Sequence, residues 1–385
     1  MDILSREELR TLLDRPPTAC VSLFLPTQGA EPASQQGLIR LENLIRQAEE
    51  RLLARGLAPA PARALLAPAL RLLGDRPFWS RERPGVAIFV APELFRVYSL
   101  PLPVDELVVV DYRFHVTPLL PLLGGDGVFY LLSIGLKGAR LMRGSRFGLS
   151  PVELRDVPAS LPEALKYDDF AKQSQLHSSG PGRGAAGAVF HGQGAYDGRA
   201  AKEEILRYFQ QIDRGVRHAL RDEHAPLVLA GVAYLLPIYR AANGYAHLVE
   251  PGIASNPDDL TPAELHARAW AIVAPGFERE RSEVLARYQQ LSAARPALAT
   301  SYMRAIVAAA QLGRVEHLLV AAGARQWGYF EPESGLLTLH DAAEPRDQEL
   351  VDFAAAQTIL HHGMVYTLPP AEIPGNAALA AILRY

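Results

Sequence analysis

The stretch His177–Gly198, HSSGPGRGAAGAVFHGQGAYDG, holds the residues whose types and spacing could do chemistry. Seven of its 22 residues are glycine. Glycine reaches backbone angles that other residues avoid, at a cost in chain entropy. So long a glycine-rich segment inside a folded protein points to a loop ordered by a partner, or to a backbone that must approach a ligand closely. Within it, Phe190-His191-Gly192-Gln193-Gly194 sets a glutamine between two glycines. The backbone amide and side chain of Gln193 are therefore unobstructed. The plain alternative is a surface glutamine without a role. Arg183, Arg199, Lys172 and Lys202 flank this tip. Cations so placed suit phosphate contacts, and they equally suit the solvated start of a charged helix.

Other constellations carry less. Gly182-Arg183-Gly184-Ala185-Ala186-Gly187 matches GxGxxG in form, but a dinucleotide site needs a strand before it and a helix straight after. Here a polar segment precedes it and Ala188-Val189-Phe190-His191 follows. There is no GxxxxGK[ST] phosphate loop, no HExxH and no GxSxG nucleophile elbow. His177 and His191 have no acid or cysteine at ligand spacing, so a metal is not expected. Asp168-Asp169 reads as a polar start to the loop, and His361-His362 as a cation pair suited to a helix C-terminus.

Elements must position the tip. Ile205, Phe209, Ile212, Val216 and Leu220 share one stripe of a helix predicted over Arg199–Leu220, with Glu203, Arg207, Gln211 and Arg214 off it. Before the loop, Phe129–Leu136 and Ala139–Arg143 predict a hairpin around Lys137-Gly138, and Pro151–Val157 a further strand. After the helix, Leu227–Val232 reads as a fully apolar strand, followed by a second strand over Tyr234–Tyr239. Upstream, the pattern predicts a helix capped by Ser5, a strand Cys20–Leu25, helices Leu38–Leu53 and Ala60–Leu73, a hairpin Val86–Val90/Phe95–Ser99 and a strand Val104–Asp111. Downstream, Ala263–Leu291 is helical with a break at Pro275-Gly276. Helix Thr300–Leu312, strands Val315–Ala321 and Gly328–Phe330, helix Asp347–His361 and strand Met364–Thr367 follow. Pro118–Gly127 and Glu250–Asp259 read as linkers by composition. The fold class is α/β (α+β) in three domains: 1–123, 124–250 and 251–385.

Composition bounds the function classes. The chain has 385 residues with 39 basic and 42 acidic side chains, a net charge of -3. This excludes a uniformly basic nucleic-acid coat but permits a local basic patch. Cys20 is the one cysteine, which excludes an internal disulfide framework and a four-cysteine zinc site. No stretch approaches the ~20 apolar residues of a membrane helix. A cytoplasmic protein is expected, with neither membrane nor DNA as a partner.

The Gly-Gln tip ahead of a charged amphipathic helix resembles the loop of the archaeo-eukaryotic peptide chain release factors and their Pelota relatives. Leu227–Tyr239 resembles the strand region closing that family's middle domain. Val315–Val320 resembles the opening of its third domain, and Ala380–Tyr385 its ending. The chain is identified by resemblance as a bacterial archaeo-eukaryotic release factor. The resemblance implies a middle domain with an RNase H-like mixed sheet and a C-terminal α/β sandwich. It implies a ribosome-associated factor of release, rescue or hibernation that presents the tip to the peptidyl-transferase centre. Its partners would be large-subunit rRNA and peptidyl-tRNA, with a translational GTPase as a further partner class and no cofactor of its own. Gly192 and Gln193 match the last two positions of the family's Gly-Gly-Gln motif. They would carry peptidyl-tRNA ester hydrolysis by placing a water and donating to the oxyanion. His191 stands where the family has the first glycine and adds a titratable group. His191, Gly194, Arg183, Arg199, Lys172 and Lys202 would bind RNA. The competing class is a non-catalytic interaction scaffold that keeps the fold.

Overall fold

The computed structural model describes residues 6–14, 18–27, 35–80, 83–122, 127–165, 198–221, 223–342, 344 and 347–385. Helices pack on four sheets. The contacts divide into two compact units, Gly127–Gly276 and the union of Met1–Asp126 with Phe277–Tyr385.

The larger unit begins with α1 (Arg6–Leu13), β1 (Cys20–Pro26), α2 (Gln35–Ala54), α3 (Pro59–Arg71), the short α4 (Arg76–Trp79), β2 (Gly85–Ala91), β3 (Leu94–Leu100) and β4 (Leu107–Asp111). The antiparallel order is β3-β2-β1-β4. β1 reads as one apolar run because both of its faces are covered. Val21, Leu23 and Leu25 meet Leu41, Ile45 and Leu66 of α2 and α3. Phe24 on the other face meets Phe89, Phe114 and Leu9.

The smaller unit is built on β5 (Phe129–Gly135), β6 (Gly138–Ser145), β7 (Gly148–Val152), α5 (Gly198–Ala219), β8 (Leu227–Gly231), α6 (Leu236–Ala242), β9 (Leu248–Ala254) and the first part of α7 (Pro262–Ala294). Its sheet order is β7-β6-β5-β8-β9. The first three strands are antiparallel, and β5, β8 and β9 run parallel. This is the mixed sheet expected of an RNase H-like middle region. Tyr130, Leu132 and Ile134 of β5 pack under Ile205, Phe209 and Ile212 of α5 and Tyr239 of α6. On the opposite face, Phe129 stacks on His266 with ring centroids 6.5 Å apart and tilts against Trp270 at 6.2 Å. Phe129 needs Gly144 beside it, because a Cβ there would meet the ring at 2.3 Å.

Three sequence expectations change in this unit. Tyr234–Tyr239 is not a strand. α6 starts at Leu236, since Pro237 cannot donate to a ladder but fits a helix's first turn. The presumed linker at Glu250–Asp259 contains most of β9. Its register against β8 shifts between Val249 and Ile253, which absorbs Pro251 and Gly252. Gly252 lies so close to β8 that a Cβ would sit 2.9 Å from the Leu229 carbonyl oxygen. The strand expected at Pro151–Val157 lies earlier, at Gly148–Val152, where it pairs with β6.

α7 continues through Pro275 instead of breaking there. The exposed ring forfeits one helical hydrogen bond without ending the helix. The larger unit then resumes with β10 (Ala299–Thr300), α8 (Met303–Gln311), β11 (Val315–Ala321), β12 (Trp327–Glu331), β13 (Leu336–His340), β14 (Gln348–Glu349), α9 (Leu350–Leu360), β15 (Met364–Leu368) and β16 (Leu379–Leu383). Gly313, at φ +67°, ends α8. β10-β16-β11-β15 form one sheet and β13-β12-β14 another. α9 starts three residues later than its sequence pattern, because Glu349 caps it by accepting from the Val351 and Asp352 amides.

Around that cap the larger unit buries charge. Asp352 Oδ1 accepts from the Val116 and Thr117 amides and the Thr117 hydroxyl, at 2.6–2.7 Å. His115 Nδ1 lies 3.2 Å from the same oxygen without hydrogen-bond alignment, and burial pushes this imidazole down, toward its neutral form. Burial, with Asp352 adding to it, pushes the Glu349 carboxyl up to about 8.

Candidate functional site

α5 is the stalk on which the sequence places the tip. Its inner face is held by Ile205, Phe209, Ile212 and Val216, all buried. One carboxylate fixes its rotation. The buried Asp213 accepts from the Gly244 amide at 2.9 Å and from Arg217 Nε at 2.8 Å. Below it, the Tyr239 hydroxyl is buried without a hydrogen-bond partner, and burial raises its pKa beyond the ordinary phenol range. The Tyr245 hydroxyl donates to the Ala225 carbonyl at 2.7 Å and steadies the turn after the helix.

The outer face is different. Arg207 and Arg214 are exposed on α5 seven residues apart, about two helical turns, so they share one face, and Arg221 is exposed in the turn just past the helix. Arg217 and His218 lie beside it, also exposed. Glu203 is the acid at its upstream end. Exposed cations so grouped suit sequence-independent contacts with backbone phosphates.

Of the sequence-predicted site residues, Lys202 is exposed on α5 and Arg199 falls in that helix's first turn. Gln193, Gly192, His191, Gly194, Arg183 and Lys172 lie outside the described residues, as do His177, Asp168 and Asp169. His361 sits at the α9 C-terminus as expected, its Nδ1 2.9 Å from the Gln357 carbonyl oxygen. Arg10 donates to His362 Nδ1 at 2.7 Å. The extension of the arginine line past the helix to Arg221, with Arg217 beside it, is what the sequence reading missed. Its signal was the seven-residue spacing across the end of the stripe. Among the described residues, no group of three or more His, Cys, Asp or Glu side chains is placed to hold a metal ion, and no helix is long and apolar enough to cross a membrane.

A mixed β7-β6-β5-β8-β9 sheet backed by a basic amphipathic helix defines a release-factor-like segment in this chain. Residues 129–275, less than half of the chain, match the family model described as Bacterial archaeo-eukaryotic release factor family 7. No curated protein compared with the chain matches it. Solved structures similar to it include an archaeal translation termination factor, aRF1, at 14% identity over 99% of both chains, with a TM-score of 0.24. A ribosome-bound archaeal Pelota, described together with ABCE1, aligns at 11% identity over 100% of this chain and 95% of its own, with a TM-score of 0.39. Dom34 of S. cerevisiae aligns at 11% identity over 76% and 74%, with a TM-score of 0.30. Overlaps this loose carry no argument about function.

Proposed function

We propose that this protein is a ribosome-associated translation factor of the release, rescue or hibernation type, acting in the cytoplasm. It presents the Gly192-Gln193 tip to the peptidyl-transferase centre. The observation that carries this reading is the group of exposed arginines on and just past α5, the helix that directly follows the tip in sequence. Phosphates of rRNA would be met by Arg207, Arg214 and Arg221 and by Lys202. The glycine-flanked amide would extend beyond them, with His191, Gly194, Arg183, Arg199 and Lys172 in contact with RNA. A translational GTPase is the proposed delivering partner.

In the hydrolytic version, Gln193 holds a water against the ester carbonyl of peptidyl-tRNA, and the Gly192 and Gln193 amides donate to the developing oxyanion. Water adds, the ester C–O bond breaks, and the proton leaves with the tRNA hydroxyl. Two measurements test the proposal. Sedimentation of purified protein with 70S ribosomes should place it in the ribosomal fractions; recovery only in the free fraction favours a scaffold that keeps the fold. A release assay on ribosomes loaded with peptidyl-tRNA should lose activity at least tenfold in Gln193→Ala; unchanged release removes the catalytic role.

A further inference from the structure

The outer face of the mixed sheet carries a second site, distinct from the arginine row. Beyond β9 the chain crosses back toward β6, and Asp258 meets Arg140 of that strand at 2.7 Å. This crossing roofs a trough on the sheet. One compartment, of about 430 Å³, is lined mainly by apolar side chains: Met142, Pro151, Val152, Leu260, Pro262 and Leu265. The other, of about 250 Å³, is polar, with Ser133, Lys137, Arg140, Asn256 and Asp258 around it. The Arg140–Asp258 pair borders both. Ser133 lines the polar compartment. It is 3% exposed, and its hydroxyl has no hydrogen-bond partner. A buried hydroxyl left unpaired costs free energy that a bound acceptor would recover. Among the described residues Lys137 makes no ion pair, so the polar end carries two cations against one carboxylate. The trough opens at the carboxyl end of β5, where the antiparallel and parallel halves of the sheet part, a favoured position for ligands in α/β sheets.

We propose that this trough binds a small molecule with an anionic head and an apolar body. The head takes the Ser133 hydroxyl and the Lys137 ammonium, and the body fills the compartment between Met142 and Leu265. This inference does not rest on the translational reading.

The test uses the full chain and 1-anilinonaphthalene-8-sulfonate, an anion on an apolar frame, titrated by fluorescence. Saturable binding at one site is expected, weakened at least tenfold by Lys137→Glu. Ser133→Ala should weaken it about threefold, in keeping with one hydrogen bond. Lys137→Glu changes an exposed side chain and Ser133→Ala removes one buried oxygen without adding volume, and circular dichroism confirms that each variant is folded. Displacement by decanoate identifies an acyl carboxylate as the natural class, and displacement by adenosine monophosphate a nucleotide. No saturable binding, binding unchanged in both variants, or displacement by neither competitor overturns the proposal.

Discussion

The two compact units handle charge in opposite ways. The Gly127–Gly276 unit displays arginines on the surface of α5 and, among the described residues, buries one carboxylate, Asp213, which holds that helix in place. The union of Met1–Asp126 with Phe277–Tyr385 buries Asp347, Glu349, Asp352 and His115 and pairs the three carboxyl groups with backbone amides. Surface charge is cheap in stability and suits association. Buried charge is costly unless every lone pair is met, and it then specifies one arrangement of the chain. The contrast separates a unit that displays its charge from one whose polar groups serve internal assembly.

The contrast is broken most severely by Asp352→Ala. It strands the Val116 and Thr117 amides in the interior and should cost roughly 3–5 kcal/mol. Chemical unfolding should shift for Trp79 and Trp327, in the larger unit, while Trp270 in the smaller unit holds its midpoint. Equal shifts would show that the two units do not unfold separately. Next comes the surface. Replacing Arg207, Arg214 and Arg221 by Glu together should weaken ribosome co-sedimentation by about a hundredfold and flatten its salt dependence, with unfolding within about 0.5 kcal/mol of the parent. If association survives intact, the row is only a solvated face.

Glu349 sharpens the comparison through pH. Its folded pKa of about 8 lies above the ordinary carboxyl value of 4.5, so the native state holds a proton that the unfolded chain releases. The resulting stability is fully present below the unfolded value and is lost as pH rises toward 8. The slope is at most about 1.4 kcal/mol per pH unit. Denaturation midpoints between pH 5 and 8 should fall, and Glu349→Gln should level that fall; an unaltered slope would assign it elsewhere. The smallest effect belongs to Tyr245→Phe. It removes a hydroxyl donated to the Ala225 carbonyl and should cost about 1 kcal/mol by urea denaturation.

Where local pattern and tertiary context agree, the chain was readable in advance. The hairpin Gly85–Leu100 has the expected pairing, and α5 spans Gly198–Ala219 against an expected Arg199–Leu220. β9 was hidden because Pro251-Gly252 reads as punctuation, while its pairing is decided by β8, a distant stretch of sequence. α6 was hidden because Leu235–Tyr239 is apolar enough for either state, and the position of Pro237 decided it. β13 and β16 pair only with strands remote in sequence or beyond a turn, and a short apolar run does not declare such partners. The trough was not legible at all. Ser133 looks like any strand serine until the segment after β9 roofs it.

α9 has a practical consequence for anyone dissecting the protein. Residues Leu350–Thr358 are buried on every side of the helix. Val351 and Ala354 serve one cluster, Phe353 another, and Ala356 a third that is built largely from Leu9, Phe24 and Phe114. A fragment comprising only 277–385 would leave that last surface bare and should aggregate on expression. Keeping 1–126 together with 277–385 retains the residues that cover it. The chain is better trimmed from its interior than from its front.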